Sequence, residues 1–231
     1  MSAEPPVLVA CGHGTRDPAG RAALAALVGE LAAALPDVEV REAYVDVHGP
    51  VVGEVVAAVP RRGPGVHSGV VVPLLLAAGY HVRVDLAEAV RRRPDVVVAP
   101  ALGPDDRLVD VLVDRVGAPR PGDAVVLAPA GSSDDRAQAD SQEVARRLAE
   151  RLDAPVRLGY AAGPTPSVAE AVAAARADGA ARVVVASYLL APGFFQDRLG
   201  AAGADHVTGP LLPDPRVVEV VLDRYRAAAG E

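Results

Sequence analysis

The chain of 231 residues is poor in cysteine and in aromatic residues, and it has no lysine. Its one cysteine excludes an internal disulfide framework and a zinc site built from several thiolates. Long apolar runs are also missing, since no stretch reaches the roughly 18 residues that a membrane span requires. The N-terminus has no basic stretch followed by a hydrophobic one, as a secretory leader would. We therefore expect a globular protein of the cytoplasm with no membrane partner.

Acidic residues outnumber basic ones, 30 to 23. The net charge is −7, and no basic cluster with interleaved aromatic residues appears, which argues against a nucleic-acid partner. Any anionic ligand would have to be held by local arginines and backbone amides. Cys11 falls inside an apolar run, where a free cysteine packs as a small hydrophobe, so we expect it to be structural.

What the sequence does contain is a repeat. Residues 7–17 return as 124–134, and residues 73–81 return as 187–195. In this comparison His13 faces Ala130, and His81 faces Phe195. Because a duplication keeps in both copies whatever the fold needs, residues that occur in one copy only are the better candidates for chemistry. Both of these are histidines.

Short valine-rich runs alternate with longer segments of helical spacing. We expect strands near residues 7–11, 38–45, 69–75, 95–99, 124–128, 155–160, 182–189 and 205–208. We expect helices near residues 18–34, 50–60, 80–92, 105–116, 135–152, 166–178, 194–201 and 214–228. Continuous apolar strands separated by helices indicate parallel sheets that are covered on both faces.

The predicted fold class is therefore α/β, with two tandem doubly wound half-domains related by internal duplication. We expect the halves to be 1–118 and 123–231, because the Pro/Gly-rich stretch 117–122 has the composition of a connector. In such a fold a ligand lies outside the carboxyl ends of the strands.

The first candidate site is the turn 12–18, at the end of the first strand. Glycines flank His13, so the backbone can turn sharply and place the imidazole at the mouth of the sheet. An alternative is that Gly14, Thr15 and the following helix N-terminus form an anion-binding turn, as in a small-molecule phosphate enzyme. The run lacks the spacing of a dinucleotide fingerprint or a P-loop.

His81 and Asp46 complete the candidate site. His81 follows the third strand, and the first and third strands of such a sheet can be neighbours, so His13 and His81 can face one crevice. Asp46 follows the second strand and faces Ala162 in the second copy. Two imidazoles and a carboxylate make a metal site with open positions, and the carboxylate could also accept a proton. The alternatives are a helix-surface role for His81 and helix capping by Asp46.

The other histidines are weaker candidates. We expect His48 to be solvated in its Gly/Pro turn, His67 to lie on the surface at the opposite end of the sheet, and His206 to be structural. Tyr44 and Tyr160 occupy matching positions of the repeat, which indicates a packing role for both.

The sequence resembles a known family. The runs Gly12-His13-Gly14-Thr15-Arg16-Asp17-Pro18 and 73–85, in a duplicated α/β chain of this length, are similar to the sirohydrochlorin chelatases of the CbiX/SirB type, the class II chelatases. The resemblance covers nearly the whole chain. Its two motifs, H-G-[ST]-R-[DE] and P-L-[FL]-L-x-x-G-x-H, are specific when they occur together.

This resemblance implies a lyase that inserts Fe²⁺ or Co²⁺ into sirohydrochlorin, in siroheme or cobalamin biosynthesis, without ATP or an organic cofactor. It places the metal-binding histidines at His13 and His81, an acidic residue at Asp46, and the tetrapyrrole between the two halves. In this chain Tyr80 stands where many members have glycine, and Val84 stands where many have an acidic residue. Asp46 is shorter than the more usual glutamate. Iron, cobalt and nickel all remain open, because the expected ligands suit each of them.

The implied substrate carries acetate and propionate arms. We expect these carboxylates to be held by charge-assisted hydrogen bonds from the amides of the first turn, at Gly14 and Thr15, and from arginines. The candidate arginines are Arg16, Arg83 and Arg198. The alternative for each arginine is a solvated helix face.

The only two phenylalanines, Phe194 and Phe195, are adjacent in the second copy. They could offer an apolar wall to the macrocycle, or they could be ordinary core residues. We expect a monomer, because the duplication supplies both halves. A non-catalytic tetrapyrrole or metal carrier of the same fold is the alternative function, and multiple-turnover metallation would separate the two.

Overall fold

The computed structural model describes residues 4–63, 65–77 and 79–230, without the side chains of residues 80–82. Strands and helices alternate along the chain. The first copy contains β1 (Val7–Gly12), α1 (Pro18–Ala34), β2 (Val40–Tyr44), α2 (Val52–Ala57), β3 (Gly69–Pro73), α3 (Tyr80–Val90), β4 (Val96–Val98) and α4 (Asp106–Val116). The second copy contains β5 (Asp123–Pro129), α5 (Asp135–Leu152), β6 (Val156–Leu158), α6 (Val168–Ala177), β7 (Arg182–Tyr188), α7 (Phe194–Gly200), β8 (His206–Val207) and α8 (Pro215–Ala229).

The strands form two parallel sheets of the same topology. Their orders are β2-β1-β3-β4 and β6-β5-β7-β8, so β1 and β5 are internal strands. Every residue of β1 is buried, because helices cover both faces of the sheet. The predicted fold class is confirmed, and every predicted element is present within three residues of its expected bounds.

The two compact units are divided differently from the two sequence copies. One unit comprises Met1–Leu102 together with Val217–Glu231, and the other is Gly103–Arg216. The expected boundary between 118 and 123 therefore separates the copies of the repeat, while each copy's last helix belongs to the unit built around the other copy. We call these unit 1 and unit 2.

Helix α8 is packed into unit 1. Its residues Val217, Val220 and Val221 are fully buried, and the buried Tyr225 hydroxyl donates a hydrogen bond to the carbonyl of Pro6 at 2.6 Å. The Arg224 guanidinium also donates to two backbone carbonyls at the end of the unit's first segment, those of residues 101 and 102. The final helix of the chain is thus part of the core around β1.

Helix α4 has the same relation to unit 2. Its apolar side is buried, and its acidic side forms ion pairs with arginines of α5. Arg147 contacts Asp106 at 3.0 Å, and Arg151 contacts Asp110. None of the described helices combines the length and apolarity that crossing a bilayer requires.

Candidate active site

Strands β1 and β2 bring His13 and Asp46 side by side. His13 directly follows β1, and its side chain is exposed. The backbone stays in the sheet pattern beyond the strand, because the N–H of Asp46 donates to the carbonyl of His13 at 3.0 Å. Among the described residues the His13 imidazole has no hydrogen-bond partner. It is therefore open to a ligand, as predicted from its place at the end of the strand.

Gly14 allows the turn after β1 and the turn after β2 to approach each other closely. Its φ is +105°, and a Cβ atom there would lie 2.1 Å from the carbonyl oxygen of Asp46. Any side chain at this position would push the β1 turn and the β2 turn apart. Gly14 thus allows two segments of backbone to approach each other, in addition to the sharp turn that the sequence predicts.

The rest of the turn is occupied by local hydrogen bonds. The Thr15 hydroxyl accepts from the N–H of Asp17 at 3.1 Å, and the Asp17 carboxylate caps α1 by accepting from Gly20 at 2.8 Å. Pro18, the first residue of α1, has no N–H to offer. A carboxylate already stands at the helix N-terminus, so the alternative of an anion-binding turn for a phosphate substrate is disfavoured.

The second copy repeats this turn without the histidine. Gly131 has a φ of +99°, and a Cβ atom there would lie 1.9 Å from the carbonyl oxygen of Ala162. The Ser132 hydroxyl accepts from Asp134 at 3.1 Å, and Asp134 caps α5. The turn is therefore a requirement of the fold, whereas an imidazole is not, since Ala130 fills that position.

Asp46 is exposed and does not cap a helix. One oxygen of its carboxylate accepts a hydrogen bond from the N–H of Val47 at 2.6 Å. The N-cap of α2 is Val51, and no side chain caps that helix. The capping alternative is wrong, and the carboxylate is held at the surface next to the His13 turn.

The prediction that His48 is solvated in its Gly/Pro turn is wrong. Its ring lies 3.9 Å from the Tyr44 ring, centroid to centroid, and its Nδ1 lies 3.0 Å from the carbonyl of Gly49. Its Nε2 atom is buried and has no hydrogen-bond partner within the described part of the chain. Burial and a hydrogen bond to Glu42 raise the pKa of Tyr44. His48 thus packs on a neutral tyrosine.

His81 lies in the first turn of α3, and its side chain is outside the described part of the structure. The strand that leads to it, β3, pairs with β1, and Leu74 extends this pairing by donating to the carbonyl of Cys11 at 2.8 Å. The first and third strands are neighbours, as predicted. Among the described side chains, no group of three His, Cys, Asp or Glu residues could hold a metal. The paired-histidine site stays a prediction.

The arginine candidates differ in their surroundings. Arg16 is exposed and has no carboxylate partner among the described residues, while Arg83 lies on the exposed side of α3. Arg198 lies over the ring of Phe194, with its Cζ atom 5.6 Å from the ring centroid. All three guanidinium groups are at the surface.

The two phenylalanines are surface residues at the start of α7. Phe194 is 67% exposed and Phe195 is 37% exposed, and their ring centroids are 5.5 Å apart. The alternative of ordinary core packing is therefore wrong. Gln196 anchors this helix, because its side chain accepts from the Ser187 hydroxyl at 2.5 Å and donates to the Thr208 carbonyl at 2.9 Å.

The remaining candidates agree with the sequence predictions except His206, whose exposed side chain does not fit the expected structural role. Cys11 is fully buried in β1, and burial raises the pKa of its thiol to about 12. His67 is exposed in the turn before β3, and His206 is exposed on β8. Tyr44 and Tyr160 are both buried at matching positions.

Sequence reasoning missed Val47. This residue has a φ of +71°, and the N–H of His48 donates to the carbonyl of Asp46 at 2.9 Å, which makes a three-residue γ-turn with Val47 at its centre. The signal was present in the repeat, since the matching residue is Gly163, with a φ of +79°.

Comparison with known proteins places the chain in a family. The model of the CbiX family matches residues 7–118 and, a second time, residues 124–228. A sirohydrochlorin ferrochelatase of Priestia megaterium is 28% identical over 140 residues, which are 56% of this chain and 53% of that protein. The chain thus spans about half the length of the curated relative it matches.

Solved structures have the same fold. SirB from Bacillus subtilis with Fe³⁺ superposes with a TM-score of 0.79 at 21% identity, over 97% of this chain and 96% of that one. The sirohydrochlorin chelatase SirB from Bacillus subtilis subspecies spizizenii in complex with cobalt gives a TM-score of 0.76 at 20% identity, over 98% and 96% of the two chains.

Proposed function

The chain belongs to the CbiX family, and we propose that it is a sirohydrochlorin chelatase, a lyase that inserts Fe²⁺ or Co²⁺ into the macrocycle without ATP. One observation carries the assignment of the site. The turn after β1 and the turn after β5 share their glycine, hydroxyl and helix cap, and they differ in that only the first presents an imidazole. We therefore place the chemistry in unit 1.

The reaction requires both a metal ligand and a proton acceptor. A tetrapyrrole loses two pyrrole protons as it gains the metal, while the metal sheds its water ligands one at a time. His13, exposed and without a described partner, would hold the incoming metal, and we propose His81 as its companion. The Asp46 carboxylate, adjacent to the His13 turn, would receive one of the two protons and pass it to solvent, and the other would leave to solvent water.

The substrate's carboxylate arms need cationic partners. We propose that Arg16 and Arg83 bind them, since Arg16 is exposed within the His13 turn and Arg83 is exposed on α3, two residues after His81. The backbone N–H groups of Gly14 and Thr15 would add neutral donors. Such contacts fix the orientation of the macrocycle and leave its centre free for the metal.

We propose the exposed phenylalanine pair as an apolar surface for the macrocycle. Phe194 is 67% exposed and gains little from the folded chain, and a flat tetrapyrrole would cover it together with the exposed part of Phe195. Arg198, which already stacks on Phe194, would add a cation for a carboxylate arm. Because the Phe194 ring is mostly exposed, Phe194→Ala should weaken sirohydrochlorin binding with little change in the melting temperature.

A turnover assay tests the proposal. Sirohydrochlorin in large excess over enzyme would be supplied anaerobically with Fe²⁺, Co²⁺ or Ni²⁺, with and without ATP, and the metallated product followed by its absorption spectrum. We expect many turnovers without ATP. Product limited to one equivalent per chain would favour the alternative, a tetrapyrrole or metal carrier, over a chelatase.

The proposal also includes a cytoplasmic location. It includes a monomeric state as well, because the duplication supplies both halves within one chain. The related structures do not point to one metal, because one holds Fe³⁺ and another holds cobalt. Comparing the initial rates with the three metals at equal concentration would rank them.

A further inference from the structure

Val47 occupies a backbone conformation that disfavours it. A β-branched residue with a φ of +71° brings its Cβ atom close to its own carbonyl, and a γ-turn with positive central φ is rare and strained. The turn is nevertheless well defined, because the N–H of His48 and the N–H of Val47 both donate to Asp46. The strain arises because a β-branched residue, and not glycine, occupies this position.

The second copy shows what the fold itself asks for at this position. Gly163, the repeat partner of Val47, has a φ of +79°, so both copies need a positive φ here. Glycine meets that need without steric cost. The first copy therefore carries a side chain at a position where glycine would satisfy the fold. This is also the copy that contains His13 and Asp46.

That side chain contributes little to the folded chain. Val47 is 41% exposed and is among the few large apolar residues at the surface. Its Cβ atom lies 3.1 Å from the point where a Cβ on Gly14 would stand, so it flanks the His13 turn. A side chain that is strained, apolar, exposed and next to the candidate site gains most if something outside the chain covers it.

We infer that Val47 is a substrate-contact residue, whose isopropyl group packs against the apolar face of the tetrapyrrole bound at the His13 turn. The inference rests on the proposed function, since it takes its ligand from there. An apolar contact at the rim of the site would favour a flat macrocycle over a small charged ligand of equal carboxylate count. It would act on the affinity for the tetrapyrrole and leave the affinity for the metal alone unaffected.

Exchanging the residues of the two copies tests this. Val47→Gly removes both the strain and the side chain, Val47→Thr keeps the branched shape and the strain but replaces a methyl by a hydroxyl, and Gly163→Val is the matched control. Sirohydrochlorin binding would be titrated without metal, Co²⁺ binding without sirohydrochlorin, and melting temperature measured for each chain.

We expect Val47→Gly to weaken sirohydrochlorin binding about three- to tenfold and to raise the melting temperature by about 2–4 °C. Val47→Thr should weaken binding to a similar degree without the rise. Gly163→Val should lower the melting temperature and leave binding as in the wild type. Co²⁺ affinity should be the same in all four chains.

Three outcomes would overturn the inference. The first is wild-type affinity for sirohydrochlorin in Val47→Gly. The second is wild-type affinity in Val47→Thr together with a loss in Val47→Gly, which would mean that a stiff turn matters and an apolar contact does not. The third is a wild-type chain that binds no sirohydrochlorin, and that result alone would overturn the proposed function as well.

Discussion

His13 stands on a turn that is otherwise duplicated, and this duplication explains why single residues could be picked from the sequence. The turn's glycine, hydroxyl and cap recur after β5, so the histidine is the change that the fold does not require. Asp46 was found by the same comparison. Backbone conformation was not, because the sign of φ at Val47 is invisible until its partner Gly163 is considered.

Replacing His13 by alanine should abolish metal insertion and leave the melting temperature within about 2 °C of wild type, because the exposed imidazole has no partner among the described residues. The matched variant is Ala130→His, which places an imidazole on the equivalent turn of the second copy. We expect it to add no activity, since Ala162 offers no carboxylate there. Near-normal insertion by His13→Ala would show that the site lies elsewhere.

Cys11 should be inert in the native protein. Because burial raises the pKa of the thiol to about 12, it stays protonated at neutral pH, and the thiolate is the reactive form. A thiol reagent such as iodoacetamide at pH 7.5 should modify the chain only after unfolding in denaturant, as read by mass spectrometry. Rapid labelling of the native protein would place Cys11 at an accessible site.

At the scale of elements, the short helix α2 depends on a distant arginine. Arg93 is 5% exposed, and its guanidinium donates to the carbonyls of Val56 and Val59 at 2.7 and 2.9 Å, at the end of α2. The guanidinium also forms a bidentate ion pair with the Asp95 carboxylate, with Nε–Oδ1 and Nη2–Oδ2 distances of 3.0 and 2.8 Å. The sequence alone does not distinguish the three consecutive arginines at 91–93 from one another. Only tertiary contact with α2 distinguishes the third.

Arg93→Met should lower the free energy of unfolding by about 3 kcal/mol, because it removes the main ion-pair partner of Asp95 and leaves the carbonyls that end α2 without their donor. Arg91→Met is the matched control, since Arg91 pairs with Glu88 at the surface, and it should leave the stability unchanged. Urea unfolding of the two variants measures both. Equal effects would mean that Arg93 does not hold α2.

The same pair predicts a pH dependence. The Arg93 guanidinium holds the pKa of Asp95 well below its ordinary value, so the stabilisation by this pair is present above about pH 3.9 and is lost as the pH falls toward the folded-state pKa. The stability gap between wild type and Arg93→Met should therefore narrow at low pH. Urea unfolding at pH 7 and pH 3 would show it, and a gap that widens would contradict the assignment.

At the scale of the whole molecule, the last helix of each sequence copy belongs to the compact unit that contains the sheet of the other copy. Helix α8 belongs to unit 1 and α4 to unit 2. The repeat could not reveal this, because the two copies have the same pattern of apolar positions and either sheet could receive either helix. Topology within each sheet was predictable, whereas the assignment of the last helices depends on which contacts form in three dimensions.

Two fragments of nearly equal length can test whether the chain divides into the compact units or into the copies of the repeat. Residues 103–216 form a contiguous compact unit, so this fragment should unfold cooperatively on heating. Residues 123–231 match the sequence copy but lack α4 and keep an α8 without its partners, so this fragment should show no cooperative transition. Thermal unfolding followed by circular dichroism checks both, and a cooperative transition in the second fragment alone would contradict the exchange of helices.

The exchanged helix α8 sets an order of events during synthesis. Unit 2 is contiguous and can fold as soon as residue 216 has left the ribosome, whereas unit 1 begins at the N-terminus and closes only with Val217–Glu231. The β1 sheet that carries His13 is made first and finished last. A nascent chain would therefore hold unit 2 folded while the sheet that carries His13 still lacks its last helix.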